Sequence, residues 1–328
     1  MTIAPPDPGV SRFGQTLAGD HVERVVLQGG GLTASLLTRG VTLQGLWLQG
    51  VAHSLTIGLP DMAGYEGATS YLGALVGPVA NRIAGAAAVL DGTRHQFAAN
   101  EGGTTTLHSA DGSHARVWRL AEVEEAAATF TLDLGHGDGG FPGIRRLSAR
   151  YALPGEGRLR LDLSATTDRP SWINLAQHSY WNLDGTRHWR GHSLRIAADH
   201  WLPVDALNLP TGERRTVAGE MDFRKGRALV PGAPALDHNF CLAHGRRALT
   251  EVAELVGLSG LRMQLSTTEP GLQVYDGRGP VRPGGGAYEG LALEPQGWPD
   301  APNRPDFPPV TLRAGEVYHQ TTVWAFST

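Results

Sequence analysis

From Val22 to the C-terminus the chain is a succession of short runs of β-branched and large apolar residues separated by glycine-bearing breaks, and that rhythm limits the fold more than any other feature. Val22-Glu-Arg-Val-Val-Leu27, Leu32-Thr-Ala-Ser-Leu-Leu37 and Val41-Thr-Leu-Gln-Gly-Leu-Trp-Leu48 read as strands, punctuated by Gly29-Gly-Gly31 and Gly40. Ala88-Val-Leu-Asp91-Gly92-Thr-Arg-His-Gln-Phe97 predicts a hairpin, because Asp-Gly supplies the positive φ values of a type I′ turn. A second hairpin is expected between Ile144 and Ala165, divided by Pro154-Gly-Glu-Gly157, and strand signals continue to Thr322-Val-Trp-Ala-Phe326. Leu249-Thr-Glu-Val-Ala-Glu-Leu255 is the one stretch with helical spacing. Residues 1–12, Pro-rich and polar at their start, predict a loose tail. No linker, charge run or fixed-period repeat divides the rest, so the expectation is a single domain over residues 1–328. Its class is all-β, a large antiparallel β-sandwich rather than a small barrel. The 44 glycines and 21 prolines fit many strands joined by tight turns, and 41% hydrophobic residues suffice for a sizeable core.

Charge narrows the partners. A formal net charge of −4 and a pI near 6.3, with no basic cluster interleaved with aromatics, leave no electrostatic footprint for nucleic acid. No run of eighteen apolar residues is present, and Met1-Thr-Ile-Ala-Pro-Pro-Asp-Pro8 lacks the basic and apolar parts of a secretory signal. The expectation is a cytoplasmic protein without nucleic acid or membrane partners, monomeric or homodimeric. Cys241 is the only cysteine, which excludes an intramolecular disulfide and a multi-cysteine metal site. Lys225 is the only lysine and sits in the polar run Asp222-Phe-Arg-Lys-Gly-Arg227, where nothing would desolvate it into a Schiff-base nucleophile.

Several motifs fail on context. Gly135-His-Gly137-Asp-Gly-Gly140 has dinucleotide-binding spacing, but Phe141-Pro142-Gly143 follows in place of the helix that would receive a pyrophosphate. Gly284-Gly-Gly286 lacks the Gly-Lys-Ser/Thr end of a phosphate loop. His188 and His192 stand four apart, yet Trp-Arg-Gly between them is poor helix and no Glu follows the first. No Gly-x-Ser-x-Gly elbow is present.

Polar residues set into apolar strand patterns remain. Trp172-Ile-Asn-Leu-Ala-Gln-His178-Ser-Tyr-Trp-Asn-Leu183 crowds amides and aromatics around a histidine. That setting admits two readings: a hydrogen-bonded core histidine, or one held and desolvated for proton transfer. Four further islands stand out: Asn81-Arg82, His108, Asp237, and Glu294 in Leu291-Ala-Leu-Glu-Pro-Gln296. Each alone is compatible with an ordinary buried polar group, whereas together with His178 they favour a site.

In their order, Tyr71-Leu-Gly-Ala74, Ala80-Asn-Arg-Ile83, Leu107-His108, Phe141-Pro-Gly143, Asn174 to Leu183, Pro210-Thr-Gly-Glu213, Leu236-Asp-His-Asn-Phe240, Gly271-Leu-Gln-Val-Tyr275 and Glu294-Pro-Gln…Pro299-Asp-Ala-Pro-Asn303 closely resemble the aldose 1-epimerases, or galactose mutarotases. The resemblance runs from about Phe13 to the C-terminus. It implies a galactose mutarotase-like supersandwich with a sugar cleft on one face and no cofactor or metal. It also implies His178 as general acid and Glu294 as general base, with Asn81, Arg82, His108, Tyr180, Asp237 and Gln273 contacting substrate. The chain departs from the family where Gly77-Pro78 replaces a common Gly-Arg, where Leu107-His-Ser-Ala110 replaces Leu-His-Gly-Gly, and at Trp172 and Trp181. These departures touch substrate identity and leave the acid and base in place.

The chemistry fits the residues. Anomer interconversion of a free aldose such as D-galactose or D-glucose needs one proton removed from the anomeric hydroxyl and another delivered to the ring oxygen, which a carboxylate and an imidazolium supply. The expected pH profile is a bell, falling on the alkaline side through a histidine-like pKa and on the acid side as the carboxylate protonates. Trp172, Trp181 and Trp298 are candidates to stack on a sugar face. Two alternatives stay open: a non-catalytic sugar-binding or sensor module, and a sugar-phosphate (hexose-6-phosphate) epimerase whose phosphate would meet Arg224, Arg246 or Arg247. A glycoside hydrolase would instead pair two carboxylates across the scissile bond.

Overall fold

The structure, a computed structural model, describes residues 5–67 and 71–328. Among these, helix is confined to three-residue 3-10 turns, and the remaining regular structure is strand. The largest antiparallel sheet has nine strands in the order Arg119–Val123, Ala127–Leu134, Arg145–Gly155, Arg158–Thr167, Tyr318–Ser327, Arg262–Thr267, Thr250–Val256, Ser193–Ile196 and Arg227–Ala228. A six-stranded sheet runs Tyr180–Trp181, Leu291–Gln296, Gly271–Tyr275, Asp237–Cys241, His200–Trp201, Arg215–Thr216. A four-stranded meander, Gly9–Gln15, His21–Gly29, Leu32–Leu37 and Thr42–Leu48, completes the frame of an all-β antiparallel sandwich.

Period-two alternation decides which way each sheet faces. Leu159, Leu161 and Leu163 of the nine-stranded sheet share one apolar core with Leu272, Val274, Leu291, Leu293 and Phe240 of the six-stranded sheet. Trp181 closes that contact, with its ring centroid 5.8 Å from those of Trp324 and Phe326. Because the odd or even half of each inner strand is spent on the core, the other half must point away from it. On the six-stranded sheet that other half is Asp237, Asn239, Gln273, Tyr275, Glu294 and Tyr180. The register of the core therefore sets the register of the polar face.

The Asp91-Gly92 hairpin forms as its turn chemistry demands, Leu90 facing Thr93 with φ of 48° and 80° at the two turn residues. In the second hairpin the strand runs on through Pro154 to Gly155, and Glu156 (φ 51°) and Gly157 (φ 64°) make the turn. Three expectations are corrected. The N-terminal tail is shorter than residues 1–12, because Gly9–Gln15 pairs along His21–Val26 as an edge strand; residues 1–4 lie outside the described residues. The stretch with helical spacing is the strand Thr250–Val256, hydrogen-bonded on both sides by Arg262–Thr267 and Ser193–Ile196. Strands on one side of the whole run and on both sides of Ala253–Val256 supply its backbone partners, whereas an isolated two-turn helix would leave most backbone groups open.

The third correction concerns the tryptophans. Trp172, Trp181 and Trp298 are at most 2% exposed. Trp172 meets Phe97 and Phe141 edge-on, and the Trp298 indole N–H donates to Pro270 O at 2.9 Å. All three are core residues.

Candidate active site

On the polar face of the six-stranded sheet lies a cleft of about 350 Å³. His178, Glu294, Asn81, Arg82, His108, Tyr180, Asp237 and Gln273 all line it. Gln273 and Glu294, opposite each other on neighbouring strands, form its floor, and Asn239 continues their row on the next strand. The next row along the same face holds Asp237 opposite Tyr275, Tyr275 opposite Ala292, and Ala292 opposite Tyr180.

The wall is made by two short segments that hold each other. Arg82–Ile83 pairs with Thr106–Leu107, and the residues just outside that ladder, Asn81 (φ 61°) and His108 (φ 51°), are both left-handed. Asn81 N donates to His108 Nδ1 at 3.1 Å, and His108 N donates to Asn81 O at 3.0 Å. Asn81 tolerates this backbone better than most residues because its short amide bonds locally, here accepting from Arg82 N at 2.9 Å. With its Nδ1 occupied as an acceptor, neutral His108 carries its proton on Nε2 and offers a donor. Atoms of His108, His178 and Glu294 lie within 4.8 Å of one another, as a metal site would require. A ring fixed as an Nε2–H donor is a poor ligand for a cation and a good one for a hydroxyl.

Charge in the cleft is largely spoken for. Arg82 forks onto Glu101 through Nε and Nη2 at 2.7 and 2.8 Å and reaches Asp237 at 3.5 Å. Burial works against the Arg82 charge, but these carboxylates outweigh it and hold the guanidinium above its ordinary pKa. Gln273 Nε2 donates to the other oxygen of Asp237 at 2.7 Å. Arg82, Asp237 and Gln273 thus form one string, joined by an ion pair and a hydrogen bond.

At its centre His178 Nε2 stands 3.7 Å from Glu294 Oε1, both residues nearly sealed from solvent. Burial lowers the His178 pKa to about 4, its own backbone carbonyl opposing only in part. Burial pushes the Glu294 carboxyl well above the usual range, Asp237 adding to the effect and Arg82 countering it. Between the two groups, burial therefore favours Glu294 over His178 as the holder of a shared proton. Around them, Tyr71 stacks 6.3 Å from His178, Tyr180 lies 5.1 Å from it, and His108 meets it edge-on at 5.2 Å. His178 Nδ1, Glu294 Oε2, Gln273 Oε1 and Asn239 Oδ1 are buried with no hydrogen-bond partner among the described residues. A surface so rich in uncommitted donors and acceptors, with its charges mutually paired, matches a neutral polyhydroxyl ligand.

Tyr71, Tyr275, Asn208 and Arg278 also line the cleft. Sequence reasoning did not assign them. Tyr71 and Tyr275 sit inside motifs already singled out, but Asn208 and Arg278 lie in irregular segments where no periodicity marks a residue. Other sequence leads fall elsewhere. His192 is buried, accepting from Leu183 N at 3.0 Å and facing Asp184 at 3.5 Å, a structural role. Arg224 pairs with Asp222 and Asp199, and Arg246 with Glu269; neither of them, nor Arg247, is among the residues lining the cleft. Burial raises the Cys241 thiol to about 12, which makes it unreactive.

The chain is similar to several known proteins. The family described as aldose 1-epimerase matches residues 23–325. Galactose mutarotase from Bos taurus is 35% identical, the alignment covering 95% of this chain and 96% of the relative. Aldose 1-epimerase from Escherichia coli is 31% identical over 90% and 92% of the two chains. Among solved structures, an aldose epimerase homologue from C. elegans superposes with a TM-score of 0.86 at 28% identity, covering 93% and 98% of the two chains. Galactose 1-epimerase from Lactobacillus acidophilus gives 0.85 at 25% identity over 97% and 98%.

Proposed function

The chain belongs to the aldose 1-epimerase family, and we propose that His178 and Glu294 are the acid–base pair through which it works. It is an isomerase, a mutarotase that interconverts the α and β anomers of a free aldose such as D-galactose or D-glucose. The observation that carries the assignment is the buried His178–Glu294 pair, 3.7 Å apart in a cleft otherwise matched to hydroxyls.

One proton shared by two groups is the stoichiometry that the reaction needs. With the proton on His178, the Glu294 carboxylate takes the anomeric hydroxyl proton while the imidazolium gives its own to the ring oxygen. The C1–O5 bond breaks, an open-chain aldehyde results, and the pair is left as Glu294–H with neutral His178. Rotation about C1–C2 presents the other carbonyl face, and the reverse transfers close the ring. The empty cleft already prefers the proton on Glu294, which is the distribution reached once the ring has opened. Burial thus favours the high-energy part of the path, the direction in which catalysis requires binding to be biased. Arg82, His108, Asp237 and Gln273 hold hydroxyls, and Asn81 fixes His108.

The sensor reading is not favoured: a module that only bound sugar would gain nothing from burying an unpaired carboxyl beside an imidazole, which costs stability. The phosphosugar reading lacks its pocket at Arg224, Arg246 and Arg247. No helix of the described residues is long and apolar enough to cross a membrane. A single catalytic domain, a cytoplasmic location and a monomeric or homodimeric state belong to the same proposal. Polarimetry on freshly dissolved D-galactose and D-glucose tests it: the protein should accelerate the approach to anomeric equilibrium, and an unchanged rate would remove the proposal.

The directions of the two pKa shifts revise the expected pH profile. A second proton enters the pair at His178, near pH 4, and removes the base; the only proton leaves from Glu294, above the ordinary carboxylate range, and removes the acid. The profile of kcat/KM is therefore a bell whose acid limb lies near pH 4 and belongs to His178, opposite to the assignment made from unperturbed values. An acid limb near 6.5 would mean that His178 is not desolvated.

Asp237→Ala strips Arg82 of one partner and Gln273 of its acceptor. A lost charged hydrogen bond to a substrate hydroxyl is expected to lower kcat/KM by about 10- to 100-fold, mostly through KM. Unaltered saturation and rate would take Asp237 out of the site.

A further inference from the structure

Arg278 is the cationic group of the cleft whose capacity is not used up. Its Nε donates to Asp276 Oδ1 at 3.0 Å, and its side chain is 43% exposed while Asp276 is buried. Asp276 is itself locked in place, accepting from Leu236 N and Arg278 N at 3.0 Å each, and its carbonyl accepts from the Trp189 indole at 2.8 Å. The buried carboxylate thus orients the guanidinium through one edge and, among the described residues, leaves both terminal nitrogens without a hydrogen bond, with Asp237 as a further electrostatic neighbour. Arg82, the other guanidinium lining the cleft, has its fork spent on Glu101 and a third nitrogen turned to Asp237.

Position tells what Arg278 would meet. In the proposed mutarotase reading the anomeric centre lies at the row of Glu294 and Gln273, and Tyr275 lies two residues further along the strand, about 7 Å away at the usual rise. Arg278 follows just beyond the strand end and still lines the cleft. A pyranose with C1 and the ring oxygen at His178 and Glu294 therefore presents a substituent remote from C1 to Arg278. A planar fork of two N–H donors matches a carboxylate better than a hydroxyl.

We propose that Arg278 reads a carboxylate on the substrate, so that free hexuronic acids are turned over along with neutral hexoses. The inference rests on the mutarotase reading of the same cleft. It goes further by naming an acidic substrate class and the residue that selects it.

The test is polarimetric mutarotation of D-galactose and of sodium D-galacturonate at pH 7, with the wild type, Arg278→Gln and Arg278→Lys. The wild type should act on both sugars, and rising salt should lower kcat/KM for galacturonate more than for galactose. In Arg278→Gln the galacturonate-to-galactose ratio of kcat/KM should fall about 10- to 100-fold. In Arg278→Lys, which keeps the charge beside Asp276 but loses the fork, the ratio should fall less. Wild-type turnover of galactose with galacturonate more than a hundredfold poorer overturns the inference and leaves the mutarotase intact. No turnover of either sugar overturns both. A ratio unchanged in both variants, or a salt effect equal for the two sugars, also overturns the inference.

Discussion

Glu294→Gln should still bind sugar while its turnover falls by about 10²- to 10⁴-fold, and His178→Asn should lose a similar factor. Glutamine keeps the shape of the side chain, but it cannot take the anomeric proton. Polarimetric rates at saturating sugar, beside an independent binding titration, separate the two effects; near-wild-type turnover in either variant would cost that residue its role. Stability should move the other way. The Glu294 pKa is raised in the folded state, so at neutral pH folding retains a proton, or buries a charge, that the unfolded chain does not have to. That contribution is favourable only at pH values below the ordinary carboxylate pKa and is lost as pH rises through the folded one. Glutamine removes it, and the variant should be more stable by about 1–3 kcal/mol, with the gain growing toward alkaline pH. Denaturant unfolding at two pH values measures this, and a less stable variant would mean that the carboxyl is not under strain. A loss of activity joined to a gain of stability is expected wherever a site holds a group against its solvation preference.

Trp181→Ala should cost about 3–5 kcal/mol of unfolding free energy, the range for truncating a fully buried aromatic. The indole lies on the core side of the strand whose next residue back, Tyr180, faces the cleft, and it joins the six-stranded sheet to Trp324 and Phe326 of the other. The deficit should therefore appear in the urea midpoint, while KM for sugar in the folded fraction stays close to wild type. Were Trp181 a stacking platform for sugar, the pattern would reverse: stability nearly unaltered and affinity lost. The experiment thus separates core from cleft for one of the three tryptophans that composition alone offered to the ligand.

These two variants mark the boundary of what the chain discloses before its structure is considered. Strands with clear alternation or a turn of defined chemistry, such as Leu32–Leu37 and the Asp91-Gly92 hairpin, are local objects, and local pattern suffices for them. The polar residues that line the cleft were also legible, because a Glu294 or an Asp237 within an apolar strand has to be explained by something other than packing. Harder cases depend on distant partners. Seven residues from Leu249 satisfy helical spacing, and only the strands on either side make them β. Gly9–Gln15 carries too few apolar residues to announce itself and is ordered by its pairing with His21–Val26. Which face Trp181 takes depends on register, which single-strand patterns leave free when both faces are buried. Asn208 and Arg278 reach the cleft from loops, whose course no period encodes. The protonation of the His178–Glu294 pair follows from burial, a property of the assembled molecule.

The row of Asn239, Gln273 and Glu294 across three strands also bears on how such a protein can change over generations. Inserting or deleting one residue in Gly271–Tyr275 or Leu291–Gln296 would turn Leu272 or Leu293 toward the cleft and bury Gln273 or Glu294 in the core, so a single accident would abolish folding and chemistry together. Lineages carrying it would vanish without leaving partly active descendants to be repaired. The exposed positions of the segment between Tyr275 and Leu291, such as Arg278, Pro283 and Gly284, are under no such constraint: they can change while the buried Asp276 and Glu289 hold the segment and the proton-transfer machinery is inherited intact. Diversification among descendants of this fold should accordingly be written in that loop, as a change of sugar, and hardly ever in the strands beneath it.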